Sequence, residues 1–569
     1  MMKQVLSIVV ILILIATTSI AQSVNVPNGS VMYHWMDRLE IKSGKMAPFH
    51  TSHKFYRRSD VTQYALTLDT MYNIELTDGD LEDLKFIYAD NGSYLDSTTF
   101  ASKYHAKYQK REKAFLKRFL KTPANFLEVG NEDYNITVNP LVSWHVGSER
   151  TESNNSGYLG QVMGGIIQGN ISNKVHFYTD LQIYFDRHQS HIRRYIGENN
   201  AIPGQHQFRG NNIYGSIDSL YDYFNSEAYI DFDITKNIHL QFGNGKNIIG
   251  NGFRSVLLSD FSDNYLYLKL NTKFGAFEYQ NIFAEMRSFS PNNTRTGDLS
   301  KKYYAAHHLS INIFKNLNVG IMEAVVLSRE NGFELNYLNP VIFYRSAERA
   351  LDSPDNAFAG LDFKWNFLKR FSLYGQLGID ELHSSQLISN PNSWAHKFSR
   401  QVGLKYIDMF GIDHLDLQLE YNAVRPYTYS HFDSTTNYTH QSQALAHPLG
   451  ANFNEFVGVL RYQPNSKLFL EARLMAASIG RDTLGSNWGS DLFRSYRDRE
   501  NDVSLIAQGV RSDILMFDFM ASYMLRHNFT IDVNINYRNE NSVIDAYDYN
   551  QLFVSLGFRY NFWKKRYMF

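Results

Sequence analysis

The sequence predicts an all-β transmembrane barrel of about 18 antiparallel strands with a small N-terminal α-helical region. Three observations carry this reading. A period of two in hydropathy starts near residue 130 and continues to the last strand, short turns alternate with long polar connections, and the apolar faces are unusually aromatic.

Composition narrows the class first. The chain has 569 residues, yet no Pro/Gly/Ser linker divides the part after about residue 130, so one large architecture covers it. Tyr and Phe number 38 and 40 at a mean hydropathy of -0.36, and no twenty-residue apolar block occurs in the expected mature chain, which excludes a helical membrane protein. A net charge of -1 without a basic stripe gives no support to a nucleic-acid partner. The absence of Cys removes disulfides, thiol catalysis, thiolate metal sites and lipid attachment together. No cofactor is expected.

Residues 1–21 read as a signal peptide: Lys3 precedes an apolar run from Val5 to Ala16, and Ser19 and Ala21 are the small residues a signal peptidase reads. Residues 22–130 read as a periplasmic helical region. Asp60 with Gln63, and Thr77 with Asp80, have the spacing of helix starts, and Leu81, Leu84 and Tyr88 continue one helical stripe. A stronger helix is predicted from Ala101 to Lys121, stopped by Pro123. Its many Lys and Arg residues fit a solvated face, or a helix held against anionic headgroups or an acidic polymer.

Residues 131–569 read as the barrel. In Leu415 to Ala423 the odd positions are apolar and Asp416, Gln418, Glu420 and Asn422 are polar, so each face of an extended chain has one character. The same alternation recurs at Val175 to Phe185, Leu361 to Phe367, Ile531 to Tyr537 and Leu552 to Phe562. A soluble sandwich would alternate too, so the connections decide. Short turns near Asn173, Lys236, Gly275, Asn316, Lys369, Gly411, Asn465 and His527 alternate with long loops. They leave a lone strand at Tyr134 to Val146 and a lone final strand, which puts both ends on the periplasmic side. The chain ends at Phe569, an aromatic, as many outer-membrane barrels do. Such a barrel is wide enough for a channel unless it is filled. The loops Arg187 to Ser226 and Arg329 to Asn356 are long enough to fold inward, and the helix-like Phe343 to Leu351 suits a plug.

Several stretches carry a resemblance. The glycine-rich run from Phe242 to Asn264, the sequence Tyr337-Leu338-Asn339-Pro340 with Arg345 and Glu348, and the opening stretch are similar to the Wzi-like capsule-assembly outer-membrane proteins. They resemble above all the Bacteroidetes branch, which includes the gliding-motility protein RemB. The resemblance runs from roughly Trp35 to the C-terminus. It implies a periplasmic helical part before an eighteen-stranded barrel, an outer-membrane location, and attachment of surface polysaccharide, in the service of motility or adhesion.

Sugars are held by aromatic faces against C–H patches and by planar polar groups against hydroxyls, with Arg for acidic polymers. The loops offer that mixture in Arg425, Tyr427, Tyr429, His431, Tyr438, His447 and Asn452, and in Arg254, Asp260 and Asn264. The alternative is that these residues pack the loops onto the rim. Ser259, Asp260 and His447 include the residue types of a hydrolase triad, but nothing in the sequence brings them together and no enzyme is expected. His431, Asp433, His440 and His447 fit no metal-ligand spacing. Gly243 to Gly252 lacks the Gly-Lys-Ser/Thr ending of a phosphate loop and reads as a bend or bulge at the rim. The expected function is binding or anchoring of surface polysaccharide, with membrane lipid around the wall. A structural part in gliding or secretion machinery, and a diffusion channel, are the alternatives.

Overall fold

The computed structural model describes residues 23–71, 74–95, 119, 122–131, 133–152, 154–172, 175–211, 220–288, 300–329, 332–340, 343–344, 355–381, 389–483, 485–563 and 566–569. The expected signal segment and, except for Phe119, the helix expected over Ala101 to Lys121 lie outside the described residues, as do Arg345 to Leu351.

Eighteen strands close into one antiparallel barrel. In chain order they are β1 Tyr134–Thr151, β2 Asn155–Ile171, β3 Val175–Asp186, β4 in two pieces Leu220–Asn225 and Ala228–Thr235, β5 Ile238–Gly245 and β6 Tyr265–Phe274. Next come β7 Phe277–Arg287, β8 Lys301–Phe314, β9 Leu317–Leu327, β10 Asn356–Phe367, β11 Phe371–Glu381 and β12 Lys397–Tyr406. The ring is completed by β13 Leu415–Val424, β14 Phe453–Asn465, β15 Leu468–Arg481, β16 Val510–Arg526, β17 Phe529–Ser542 and β18 Tyr549–Tyr560. Leu552 of β18 pairs with Arg150 of β1, so the sheet has no open edge. The expected turns and lone first and last strands are all present, apart from residues 173–174, which are not described.

The alternation has the polarity of a membrane barrel. Asp416, Gln418, Glu420 and Asn422 of β13 are buried in the lumen. Leu552, Val554 and Leu556 of β18 are exposed on the outside, while Phe553 and Ser555 between them are buried. An apolar wall with a polar interior suits lipid, since every strand's backbone groups are paired with a neighbour.

Three helices lie across the short-turn end: α1 Met32–Ser43, α2 Arg58–Thr70 and α3 Asp78–Asp90. They share a core that includes Trp35, Leu39, Val61, Leu68, Leu84 and Ile87. Thr77 and Asp80 form the reciprocal cap of α3 that their spacing predicts. Asp60 does not begin its helix: α2 starts at Arg58, and Asp60 sits in its first turn, where a carboxylate still suits the helix dipole. Charge seats α1 on the inner wall. Asp37 Oδ1 accepts from Lys364 Nζ of β10 at 2.9 Å and its Oδ2 from Lys405 Nζ of β12 at 2.5 Å. Glu40 accepts from Asn366 at 3.1 Å, and Arg38 binds Asp408 at 2.9 Å, Asp80 at 3.1 Å and also Asp416.

Other segments fill the lumen from the opposite side. Of the bend or bulge expected of the glycine-rich run, the structure shows a bend. After β5 it turns inward, where Ile248 and Ile249 pair with Lys54 and His53 and the Gly250 N–H donates to Ser52 O at 2.8 Å. Gly250 has φ +135°, and a Cβ on Gly252 would lie 2.6 Å from Glu420 Oε2, so both turns require glycine. The loop after β3 folds inward as α4, Ser190–Asn199, with Ser190 N–H on Glu149 Oε1 at 2.6 Å. Phe569 is not at a lipid interface. Arg566 binds Asp518 at 2.5 Å, and also Glu471, on the inner wall, and this draws the tail into the lumen, where Phe569 lies 5.0 Å from the Tyr195 ring.

The described part of the connection from Arg329 to Asn356 goes the other way. The expected inward plug is overturned for its described part, residues 332–340 and 343–344, which lies on the outside of the barrel. Tyr337 and Tyr344 pack on Tyr303, Ala305, Val325 and Leu327, whose strand neighbours Tyr304, Ala306, Ala324 and Val326 belong to the lumen core. Tyr337 OH donates to Asp355 Oδ2 at 2.8 Å, and Arg329 grips both oxygens of Asp355 at 2.7 Å. The outward His307 and Glu323 supply the reason: uncovered, they would face lipid.

Candidate glycan site at the long-loop rim

Three connections meet above β11 to β16, within residues 389–396, 425–452 and 485–509. Their backbones are joined. Trp394 N–H donates to Asp502 O at 3.0 Å, Ser504 N–H to Asn392 O at 2.7 Å and Tyr427 N–H to Gly489 O at 2.9 Å. Arg425 completes the joint: its Nη2 donates to Ser393 O at 3.2 Å and Ser504 O at 3.1 Å, and the guanidinium lies over Phe398.

On this base sits a group of half-buried rings and stacked cations, of which Arg497 is exposed and Lys397 buried. Trp394 and Tyr496 have centroids 5.3 Å apart. Arg499 lies 4.1 Å over Trp394, Lys397 4.0 Å over Tyr496 and Arg497 4.4 Å over Phe432. Lys397 also meets Glu381 at 2.9 Å and Arg499 meets Asp502 at 2.6 Å, whereas the exposed guanidinium of Arg497 has no carboxylate against it among the described residues. Stacking fixes a guanidinium without using its in-plane N–H groups, which stay available to a sugar hydroxyl or carboxylate. His431 borders the group, 4.3 Å from Phe432, with Nδ1 2.7 Å from Thr436 Oγ1. Its pKa is pushed down to about 4 by burial and then by the Lys397 charge, so the ring is neutral at pH 7.

The other residues expected at the site lie elsewhere. Tyr427, Tyr429, Tyr438, His447 and Asn452 are each 1% exposed or less, so their faces are turned to the protein and not to a ligand. Tyr427 OH donates to Asn487 O at 2.8 Å, Tyr429 OH to Val256 O at 2.7 Å, and Tyr438 OH meets Tyr304 OH at 3.0 Å. His447 Nε2 is 2.8 Å from Glu455, and Asn452 Nδ2 donates to Gly480 O and Gln508 O at 3.0 and 2.8 Å. These groups pack the loops because a connection that dips into the lumen must bury its own polar atoms and bond them there. Arg254 and Asp260 line a lumen cavity of about 580 Å³ with Arg461 and Arg473. Arg254 binds Glu455 at 2.8 Å, and Asp260 accepts from Asn28 at 2.7 Å. Asn264 binds Asn225 at 2.8 Å. Ser259 bonds to the Ala446 carbonyl while His447 faces Glu455, so the three types of a triad do not converge.

Sequence reading missed Trp394, Phe432, Tyr496, Arg497 and Arg499. The run Phe493-Arg494-Ser495-Tyr496-Arg497-Asp498-Arg499 alternates rings and guanidinium groups and was the available signal.

An apolar-walled closed barrel with short turns at one end and long loops at the other is an outer-membrane β-barrel. The chain belongs to the family of the capsule assembly protein Wzi, which matches residues 205–552, more than half its length. Its fold is similar to that of Escherichia coli Wzi, described as an outer-membrane protein involved in group 1 capsule assembly and a carbohydrate-binding β-barrel. The two share 13% identity over 95% of this chain and 100% of that one, at a TM-score of 0.55. Pseudomonas aeruginosa OprD aligns at 10% identity over 74% of this chain and 94% of its own, with a TM-score of 0.39. OpdK from the same organism aligns at 10% identity over 75% and 98%, with a TM-score of 0.41. No curated protein matches the chain.

Proposed function

We propose that this protein binds surface polysaccharide at the long-loop rim and holds it at the cell, without catalysis. The observation that carries the reading is the group of half-buried rings Trp394, Phe432 and Tyr496 with the exposed Arg497, on three loops locked to one another. Rings take the C–H face of a sugar and Arg497 takes an acidic or hydroxyl group. The carbohydrate-binding description of E. coli Wzi supports the same chemistry here. On the barrel rule for loop length, the rim faces outward and residues 23–95 lie on the periplasmic side. Membership of a Bacteroidetes branch, service to motility or adhesion, and gliding or secretion proteins as partners rest on the sequence resemblance. Helices seated at one end and loops and tail packed inside the other speak against a diffusion channel.

The test is binding of the refolded, detergent-solubilised protein to the producing cell's own purified surface polysaccharide, beside Trp394→Ala and Arg497→Ala. Each variant is expected to weaken binding about tenfold, or roughly 1.4 kcal/mol. Equal binding by both variants would move the site off the rim. A folded wild type that binds nothing would shift the assignment to a machinery scaffold.

A further inference from the structure

The outer wall carries a polar row at a level where lipid contact is expected. Asn281 of β7, His307 of β8 and Glu323 of β9 stand directly opposite one another in the sheet. Ile282, Ala306 and Met322 beside them belong to the lumen core, so alternation turns the row outward. His307 Nε2 lies 3.1 Å from Glu323 Oε2. Two residues nearer the short-turn end on β9, Ile321 is 52% exposed on the lipid face, and it pairs with the exposed Leu361 of β10.

The described part of the β9–β10 connection covers this row. Tyr344 stacks on His307 at 4.2 Å and donates its N–H to Glu323 Oε2 at 2.9 Å, and Tyr279 OH donates to Pro340 O at 2.5 Å. Its other side carries Leu335, Leu338 and Phe343, 63%, 38% and 73% exposed, with the exposed Asn336 and Asn339 among them. Among residues 332–340 and 343–344, Glu334 is the one charged residue. Phe343 precedes the residue bonded to Glu323, which stands two residues along β9 from the lipid-facing Ile321.

We infer that this segment is a membrane-embedded strap whose Leu335, Leu338 and Phe343 insert among the acyl chains of the outer leaflet. One side covers the polar row, bonding Glu323 and stacking on His307, and the other faces away from the wall. The occupant is lipid because the segment lies on the outer face of the barrel wall and turns large apolar side chains away from it, with Asn336 and Asn339 as the uncharged exposed groups between them.

The Cys-free chain makes the test direct. Single-cysteine variants Phe343→Cys, Leu338→Cys, Ile321→Cys and Ser434→Cys are nitroxide-labelled, and the full-length protein is reconstituted in phosphatidylcholine vesicles. Power saturation then compares collisions with oxygen and with a water-soluble nickel chelate. Phe343 is expected to match the lipid-facing Ile321, with high oxygen and little chelate access, and to differ from Ser434 in its exposed loop. If Phe343→Cys does not give a folded barrel, Leu338→Cys is read in its place. Chelate access like that of Ser434 would overturn the strap, and low access to both reagents would replace lipid by a protein contact.

Discussion

Lys364 Nζ lies 2.9 Å from Asp37 Oδ1 and 3.2 Å from Glu40 Oε1, so one lysine of β10 pairs with two carboxylates of α1. The Lys364 side chain is fully buried, and Lys364 and Lys405 together hold Asp37 well below the usual carboxylate range despite its burial. Lys364→Met should therefore leave Glu40 with the Asn366 bond but no cation, and Asp37 with Lys405 alone, at a cost of about 3–5 kcal/mol. The measurement is the thermal transition of the folded, heat-modifiable band. An unchanged midpoint would show that these pairs do not seat the helices.

Loop packing and ligand contact are separable at the rim. Tyr429→Phe removes the bond to Val256 O and should cost about 1 kcal/mol of loop stability, read as faster proteolysis of residues 425–452. Arg497→Ala should leave proteolysis unchanged while weakening polysaccharide binding. The reverse pattern would return the contact to the buried tyrosines.

Arg425→Ala should act through position alone. It frees the carbonyls of Ser393 and Ser504 and loosens the base of the Trp394 and Arg499 loops. Hydrogen exchange at the Trp394 and Ser504 amides is expected to quicken, with binding reduced in proportion. Weakened binding with both amides still protected would make Arg425 a direct contact.

The rim loop should be acid-labile. His431 has its folded pKa pushed down from 6.5 to about 4, so as pH falls the unfolded loop takes up a proton before the folded one does. Stability from this group is complete above about pH 6.5 and is lost progressively towards pH 4. Hydrogen exchange of residues 431–438 between pH 7 and pH 4 measures it, and His431→Asn should flatten that dependence.

Gly250→Ala should destabilise the inward-turning run by about 1–3 kcal/mol, because φ +135° is a backbone conformation that L side chains rarely adopt. Gly275 has φ +60° in an open turn with no atom near its missing Cβ, so Gly275→Asn should be nearly neutral. Comparable losses at both would mean that the lumen packing around Gly250 is not what limits it.

The sequence by itself determined the barrel, its strand number and, except at the three-residue connection from β1 to β2, the alternation of short and long connections, because a period of two and the spacing of turns are local properties of the chain. It also determined the Thr77–Asp80 cap, whose partners are three residues apart. Only the tertiary structure decided where the long connections go. Asp37 of α1 meets Lys364 more than three hundred residues away, the strap residues 332–340 and 343–344 lie outside because His307 and Glu323 are outward, and Phe569 turns inward because Arg566 finds Glu471 and Asp518 on the wall. The rim site divided the same way. Tyr427, Tyr429 and Tyr438 look like sugar platforms in sequence, but their burial depends on carbonyls and rings supplied by other loops. A residue type states what a side chain can bind, whereas packing across the barrel decides whether that side chain faces a ligand or the protein.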